Sequence, residues 1–107
     1  MKMITAVIHK EDTRTVCGAL IEAGFSVTRL ATTGGFLMAG NTTLMTGVDD
    51  DKVDTCIRII RECCHQHQEV VPNVAGYDDN GPRVEPMTIT VGGATVFVTN
   101  VERFEKL

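Results

Sequence analysis

The stretch Val53–Cys64, VDTCIRIIRECC, decides the fold. Val53, Cys56, Ile57, Ile60, Cys63 and Cys64 recur at i, i+3, i+4 and i+7 over about three turns, while Asp54, Arg58, Arg61, Glu62 and His65 fall mainly on the other side. A helix with one apolar stripe must bury it, and the flanking segments supply a sheet.

Upstream, Thr42–Val48 (TTLMTGV) reads as a strand, and Asp49-Asp50-Asp51 reads as a helix cap, because carboxylates there meet unpaired N–H groups. Lys2–Lys10 alternates Met3, Thr5, Val7 and His9 against Ile4, Ala6 and Ile8, the period of a strand. Glu11–Ala23 carries Val16, Cys17, Leu20 and Ile21 at helical spacing, with Asp12 as N-cap and Gly24 as a left-handed C-terminal residue. Phe25–Thr32 follows as a second strand.

Downstream, Glu69–Pro86 runs 18 residues with Pro72, Gly76, Gly81, Pro82 and Pro86. Its length exceeds the ~12–15 residues usual for a loop, and a turn is expected at Asp78-Asp79-Asn80-Gly81. Met87–Val91 and Ala94–Thr99 read as strands joined through Gly92-Gly93, and Val101–Leu107 as a tail with one helical turn. The order is β-α-β-β-α-β with an additional C-terminal strand, which predicts a single ferredoxin-like α+β domain over residues 1–107. Two helices cover one sheet face, whereas Met3, Thr5 and Val7 lie on the other. A half-covered sheet calls for a partner, most simply further copies of the chain.

Ten basic residues are scattered through a chain of net charge −4 without Trp, which argues against a long nucleic acid as partner. No run approaches the ~18 apolar residues of a membrane span, and the N-terminus reads as a strand rather than a secretory signal, so a cytoplasmic protein is expected. Cys17, Cys56, Cys63 and Cys64 do not suggest a disulfide framework.

No G-x-S-x-G, H-E-x-x-H or Walker A motif is present, and none of His9, His65 and His67 lies near a serine or cysteine in a nucleophile-like context, so no enzymatic activity is expected. Cys63 or Cys64 with His67 has the spacing of a metal-binding pair on a helix; core packing of the cysteines is the competing reading, and no metal is assigned. Leu30–Thr43, LATTGGFLMAGNTT, holds an apolar run, Phe36–Ala39, between Gly34-Gly35 and Gly40. Such glycines expose N–H groups, Phe36 offers a stacking face, and the Asn41 amide suits an adenine edge, with Thr28, Thr32, Thr33, Thr42 and Thr43 adding hydroxyls. A turn whose Phe36 and Leu37 tuck into a neighbouring subunit fits the same residues.

LATTGGFLMAGNTT followed by Gly47-Val48-Asp49, the later Val91–Val98 string VGGATVFV, the Met-Lys-Met-Ile start, Asp51-Lys52-Val53-Asp54 and the tail around Phe104 together resemble the PII-like cyclic di-AMP receptors of bacteria. The resemblance implies a non-enzymatic, ferredoxin-like homotrimer without a cofactor. It implies cyclic di-AMP in each inter-subunit cleft and loops that rearrange to signal to a downstream protein. It also implies a short ligand loop at about 33–41 and a long one at about 69–86. By matching position, Thr28 and Asn41 would hydrogen-bond adenine, Gly35, Phe36 and Leu37 would line the base pocket, Gly47 would allow close approach, and Gly92 would come from the adjacent subunit.

The chain departs from the pattern at Ser26, where relatives often carry Arg, at Gly24, where Asn is frequent, at Val27, where Ala is frequent, and at Lys106, where Gln often lies near the base. These departures leave an alternative: an interaction protein of the same fold whose cleft takes another adenine nucleotide or none.

Overall fold

The computed structural model describes residues 1–30 and 40–107. The elements are β1 (Lys2–His9), α1 (Thr13–Glu22), β2 (Thr28–Leu30), β3 (Asn41–Val48), α2 (Val53–Cys63), β4 (His67–Asp78), β5 (Gly81–Val91) and β6 (Ala94–Asn100). Among the described residues, four strands form one antiparallel sheet in the order β2-β3-β1-β6, and β4 and β5 pair only with each other. This is the ferredoxin-like α+β arrangement expected from the element order.

Alternation dictates which side chains meet the helices. Ile4, Ala6 and Ile8 of β1 and Leu44 and Val48 of β3 are buried against Val16 and Leu20 of α1 and Cys56 and Ile60 of α2. Each fully buried aliphatic side chain contributes about 1.5–3 kcal/mol. Residues of the other parity line the uncovered face in register rows: Thr28, Met45, Thr5 and Phe97 form one, and Leu30, Thr43, Val7 and Thr95 another.

Gly24 ends α1 as expected. At φ +93 it lets its N–H reach the Ile21 carbonyl at 3.0 Å while the Phe25 N–H reaches the Leu20 carbonyl at 2.9 Å, the Schellman arrangement. The expected acidic caps are not made. A 3-10 turn, Lys10–Asp12, precedes α1 and leaves Asp12 helical at φ −87, ψ −8, so its carboxylate does not cap; the extended His9 instead accepts from the Glu11 N–H through Nδ1. A second 3-10 turn, Asp50–Lys52, precedes α2. There the Lys52 N–H bonds the Asp49 carbonyl, and the Asp50 carboxylate lies 3.0 Å from the Met1 amino group, which holds its pKa below the usual value.

The largest difference from expectation lies in residues 69–86. Instead of a loop, they form most of the β4–β5 hairpin, which spans residues 67–91. The turn at Asp78–Gly81 closes it: the Asn80 N–H donates to Asp78 Oδ1, and Gly81 takes φ +103. Ala75 is an extra residue in the ladder, between the pairs Val74–Val84 and Gly76–Arg83. Met87–Val91 therefore pairs with β4, and the C-terminal strand β6 fills the sheet's fourth place beside β1. Gly92 and Gly93, at φ +83 and +79, make the turn between the two strands. The tail Val101–Leu107 contains no helical turn; the Val101 N–H bonds the Met1 carbonyl at 3.2 Å and holds its start beside the sheet.

Candidate functional site

Two clefts open at opposite ends of β3. The first, of about 430 Å³, is lined by Thr28, Met45 and Gly47, with Met3 from β1, Ser26 before β2 and Phe104 from the tail. Register explains the grouping. Thr28 stands opposite Met45, and Gly47 stands opposite Met3, so all four belong to the sheet face that the helices leave uncovered. The Thr46 hydroxyl, buried on the other side, donates to the Ser26 carbonyl at 2.5 Å and fixes the approach to β2.

No acidic or basic side chain is among the described residues lining this cleft. Thioethers, an aromatic ring and hydroxyls suit an uncharged planar ring with a few polar edge groups better than they suit a phosphate. At Gly47 an added Cβ would meet Met1 Cε at 2.9 Å, so the missing side chain lets the end of Met1 pack against the strand.

The second cleft, of about 210 Å³, is lined by His9, Asn41, Gln66, Gly92 and Thr95, among others. Asn41 stands opposite His9 in the β1–β3 ladder, and Gly92 comes from the turn between the arm and β6. Its lining mixes Val7, Ile8 and Ala94 with the polar side chains of His9, Asn41, Gln66 and Thr95, which can hydrogen-bond a ligand.

The residues singled out from the sequence thus fall into pairs. Thr28 and Gly47 share one cleft, and Asn41 and Gly92 share the other. Along β3, Asn41 is four residues from Met45, the partner of Thr28, or about 14 Å at strand rise. Gly35, Phe36 and Leu37 lie outside the described residues. Met3, Met45, Phe104, His9 and Gln66 were not singled out. Alternation alone put Met45 on the face of Gly47, but pairing with Met3 and His9 depends on sheet register, which no local pattern specifies.

The departures also find places. Ser26 lines the first cleft, so this departure from the expected pattern faces the candidate ligand space. Gly24 serves the end of α1, and Lys106 is exposed in the tail.

The metal alternative loses its geometry. α2 ends at Cys63, Cys64 is extended at φ −120, ψ 113, and the helical spacing to His67 no longer applies. Cys64 is buried, and its thiol is pushed up to about 11 by burial; His67 is exposed and bonded to Glu69 at 3.1 Å, which raises its pKa. Among the described residues no group of three or more His, Cys, Asp or Glu is placed to hold an ion. Nor is any described helix long and apolar enough to cross a membrane.

A crystal structure of a functionally unknown protein from Pediococcus pentosaceus ATCC 25745 is similar to this chain, with a TM-score of 0.72 and 32% identity, over 99% of this chain and 96% of that one. The family described as Cyclic-di-AMP receptor matches residues 1–107 in full. On that full-length match, the chain belongs to the cyclic-di-AMP receptor family.

Proposed function

We propose that this protein is a cytoplasmic, non-enzymatic receptor that binds cyclic di-AMP at clefts between the subunits of a homotrimer and signals through loop rearrangement. The observation that carries the reading is the convergence of Thr28, Gly47, Met45 and Phe104 on one cleft without acidic or basic side chains, in a chain whose whole length matches the receptor family. An adenine fits such a slot, with the Thr28 hydroxyl available to its polar edge. The uncovered sheet face supports assembly, since Phe97 of the edge strand β6 is 48% exposed on it. Because the two clefts stand at opposite ends of β3, the simplest completion of the site pairs the Thr28–Gly47 cleft of one subunit with the Asn41–Gly92 cleft of its neighbour. Gly35, Phe36 and Leu37 complete the base pocket in this reading.

Calorimetric titration with cyclic di-AMP tests the ligand. Heat at tens of micromolar is expected, and none with the trimer intact by sedimentation would sink the reading. The division between subunits is tested by mixing Thr28→Ala and Asn41→Ala chains. If the two residues act across a boundary, random mixed trimers regain about a quarter of their sites; if they act within one chain, they regain none.

One observation favours a second reading. Ser26 places an uncharged hydroxyl residue in the cleft wall, so this position supplies no cation that would favour the cyclic phosphodiester over another adenine nucleotide. A thermal-shift comparison of cyclic di-AMP with ATP, ADP and cyclic di-GMP decides between them, because a ligand of the native state raises the melting temperature.

A further inference from the structure

His9 ends β1 and lines the second cleft. Its main chain is held from both sides: His9 pairs with Asn41 in the β1–β3 ladder, and the following N–H, that of Lys10, bonds the Gly40 carbonyl at 2.8 Å. Its side chain is held as well. Nδ1 accepts from the Glu11 N–H at 3.2 Å as the cap of the 3-10 turn Lys10–Asp12. A ring nitrogen that accepts carries no hydrogen, so the ring's own N–H is on Nε2. The cap thus selects one tautomer and orients the ring, and Nε2 becomes a donor with little rotational freedom left to lose on binding.

Alternation puts His9 and Asn41 on the sheet face that the helices leave uncovered, and side chains opposed in a ladder lie about 5 Å apart at Cβ. Thr95, opposite Val7, belongs to the same face. With Gln66, the second cleft is therefore lined by an imidazole N–H, two amides and a hydroxyl, all able to donate, and by no carboxylate among the described residues.

The chemistry of the ligand says what such a cleft can hold. In cyclic di-AMP the phosphodiester carries the charge, and its oxygens only accept. Neither cleft is lined by a Lys or Arg side chain among the described residues, and the Met1 amino group beside the first is already paired with Asp50 at 3.0 Å. The first cleft also spends its Thr46 hydroxyl on the Ser26 carbonyl and is otherwise rich in thioethers. The second is the better provided with donors. We propose that the second cleft is the phosphodiester subsite of the bound ligand, and that His9 is a binding residue there, donating from Nε2 to a non-bridging phosphate oxygen. The proposal rests on the receptor reading above for the identity of the ligand.

Two near-isosteric substitutions separate the cap from the donor. In His9→Asn the side-chain oxygen stands where Nδ1 did and keeps the cap, but nothing replaces Nε2. In His9→Gln the amide nitrogen reaches the place of Nε2 and can donate. Calorimetry with cyclic di-AMP and thermal melting are read on the parent and both variants, with His9→Ser, another good cap, used if His9→Asn is unstable. His9→Asn is expected to melt within about 2 °C of the parent and to bind about tenfold more weakly, whereas His9→Gln should bind within about threefold of the parent. Cyclic di-AMP with sulfur at the non-bridging positions identifies the acceptor. One of its two symmetric diastereomers should lose affinity for the parent and lose about threefold less for His9→Asn. Full affinity in the capped variant, equal losses in His9→Asn and His9→Gln, or equal sulfur penalties in parent and His9→Asn overturns the proposal while the parent still binds. A parent that gives no heat removes the receptor reading and this subsite with it.

Discussion

A Cβ on Gly92 would lie 2.4 Å from the main-chain carbonyl oxygen of His65, so the residues that lead into and out of the β4–β5 hairpin, here called the arm, approach closely at its base. Gly93 repeats the relation against the Gln66 side chain at 2.8 Å. Main-chain oxygen cannot swing aside as a side-chain tip can, and Gly92 also holds φ +83.

Gly92→Ala is therefore expected to lower stability by about 2–3 kcal/mol, combining left-handed strain with the clash. Gly18→Ala is the control: it lies within α1 with nothing within 4 Å of the added carbon. It should raise stability by about 0.5–1 kcal/mol. Thermal melting of the two chains measures both.

Gly47→Ala should separate folding from binding. Its Cβ meets only the flexible end of Met1, so stability should stay within about 0.5–1 kcal/mol of the parent. The methyl group narrows the Thr28 cleft, and affinity for cyclic di-AMP should fall about tenfold in calorimetry. A collapse of stability with unchanged affinity would make Gly47 a packing residue.

Asn41→Ala should weaken cyclic di-AMP by about 1–3 kcal/mol, the cost of leaving a buried polar group of the ligand unmatched. The same titration reads it. Unchanged affinity would remove Asn41 from the site and leave the polar cleft to His9 and Gln66.

The buried thiols predict an alkaline limit. Burial pushes Cys56 and Cys64 up to about 11 from the usual 9.0, so the folded chain holds these protons where the unfolded chain releases them. Their contribution is fully present below pH 9 and is lost as pH rises from 9 towards 11. Chemical denaturation across that range should show the midpoint falling. In native protein at neutral pH, a thiol reagent should modify the half-buried Cys17 and Cys63 well before Cys56 and Cys64.

Periodicity carried the helices and the inner strands into view, because Ile60 and Leu44 announce their burial through spacing alone. The arm was hidden for the opposite reason. Prolines and glycines in 69–86 signal an interrupted chain, yet Pro72 and Pro86 sit opposite each other where no internal hydrogen bond is required of them. The caps misled because an extra 3-10 turn left Asp12 helical at the start of α1 and set Asp49 a turn back from α2, which composition does not encode. For the site, residue type marked Thr28, Asn41, Gly47 and Gly92, whereas their separation into two clefts follows from the register of β3, a tertiary property.

The extra residue at Ala75 keeps Tyr77 on the side of Val74, although strict alternation over three positions would send it to the other. Loss of one codon there would turn the tip of the arm through half a revolution while leaving its composition almost untouched. Among arms of differing length, parity is thus the inherited variable: an even insertion preserves which side chains look outward, and an odd one exchanges them.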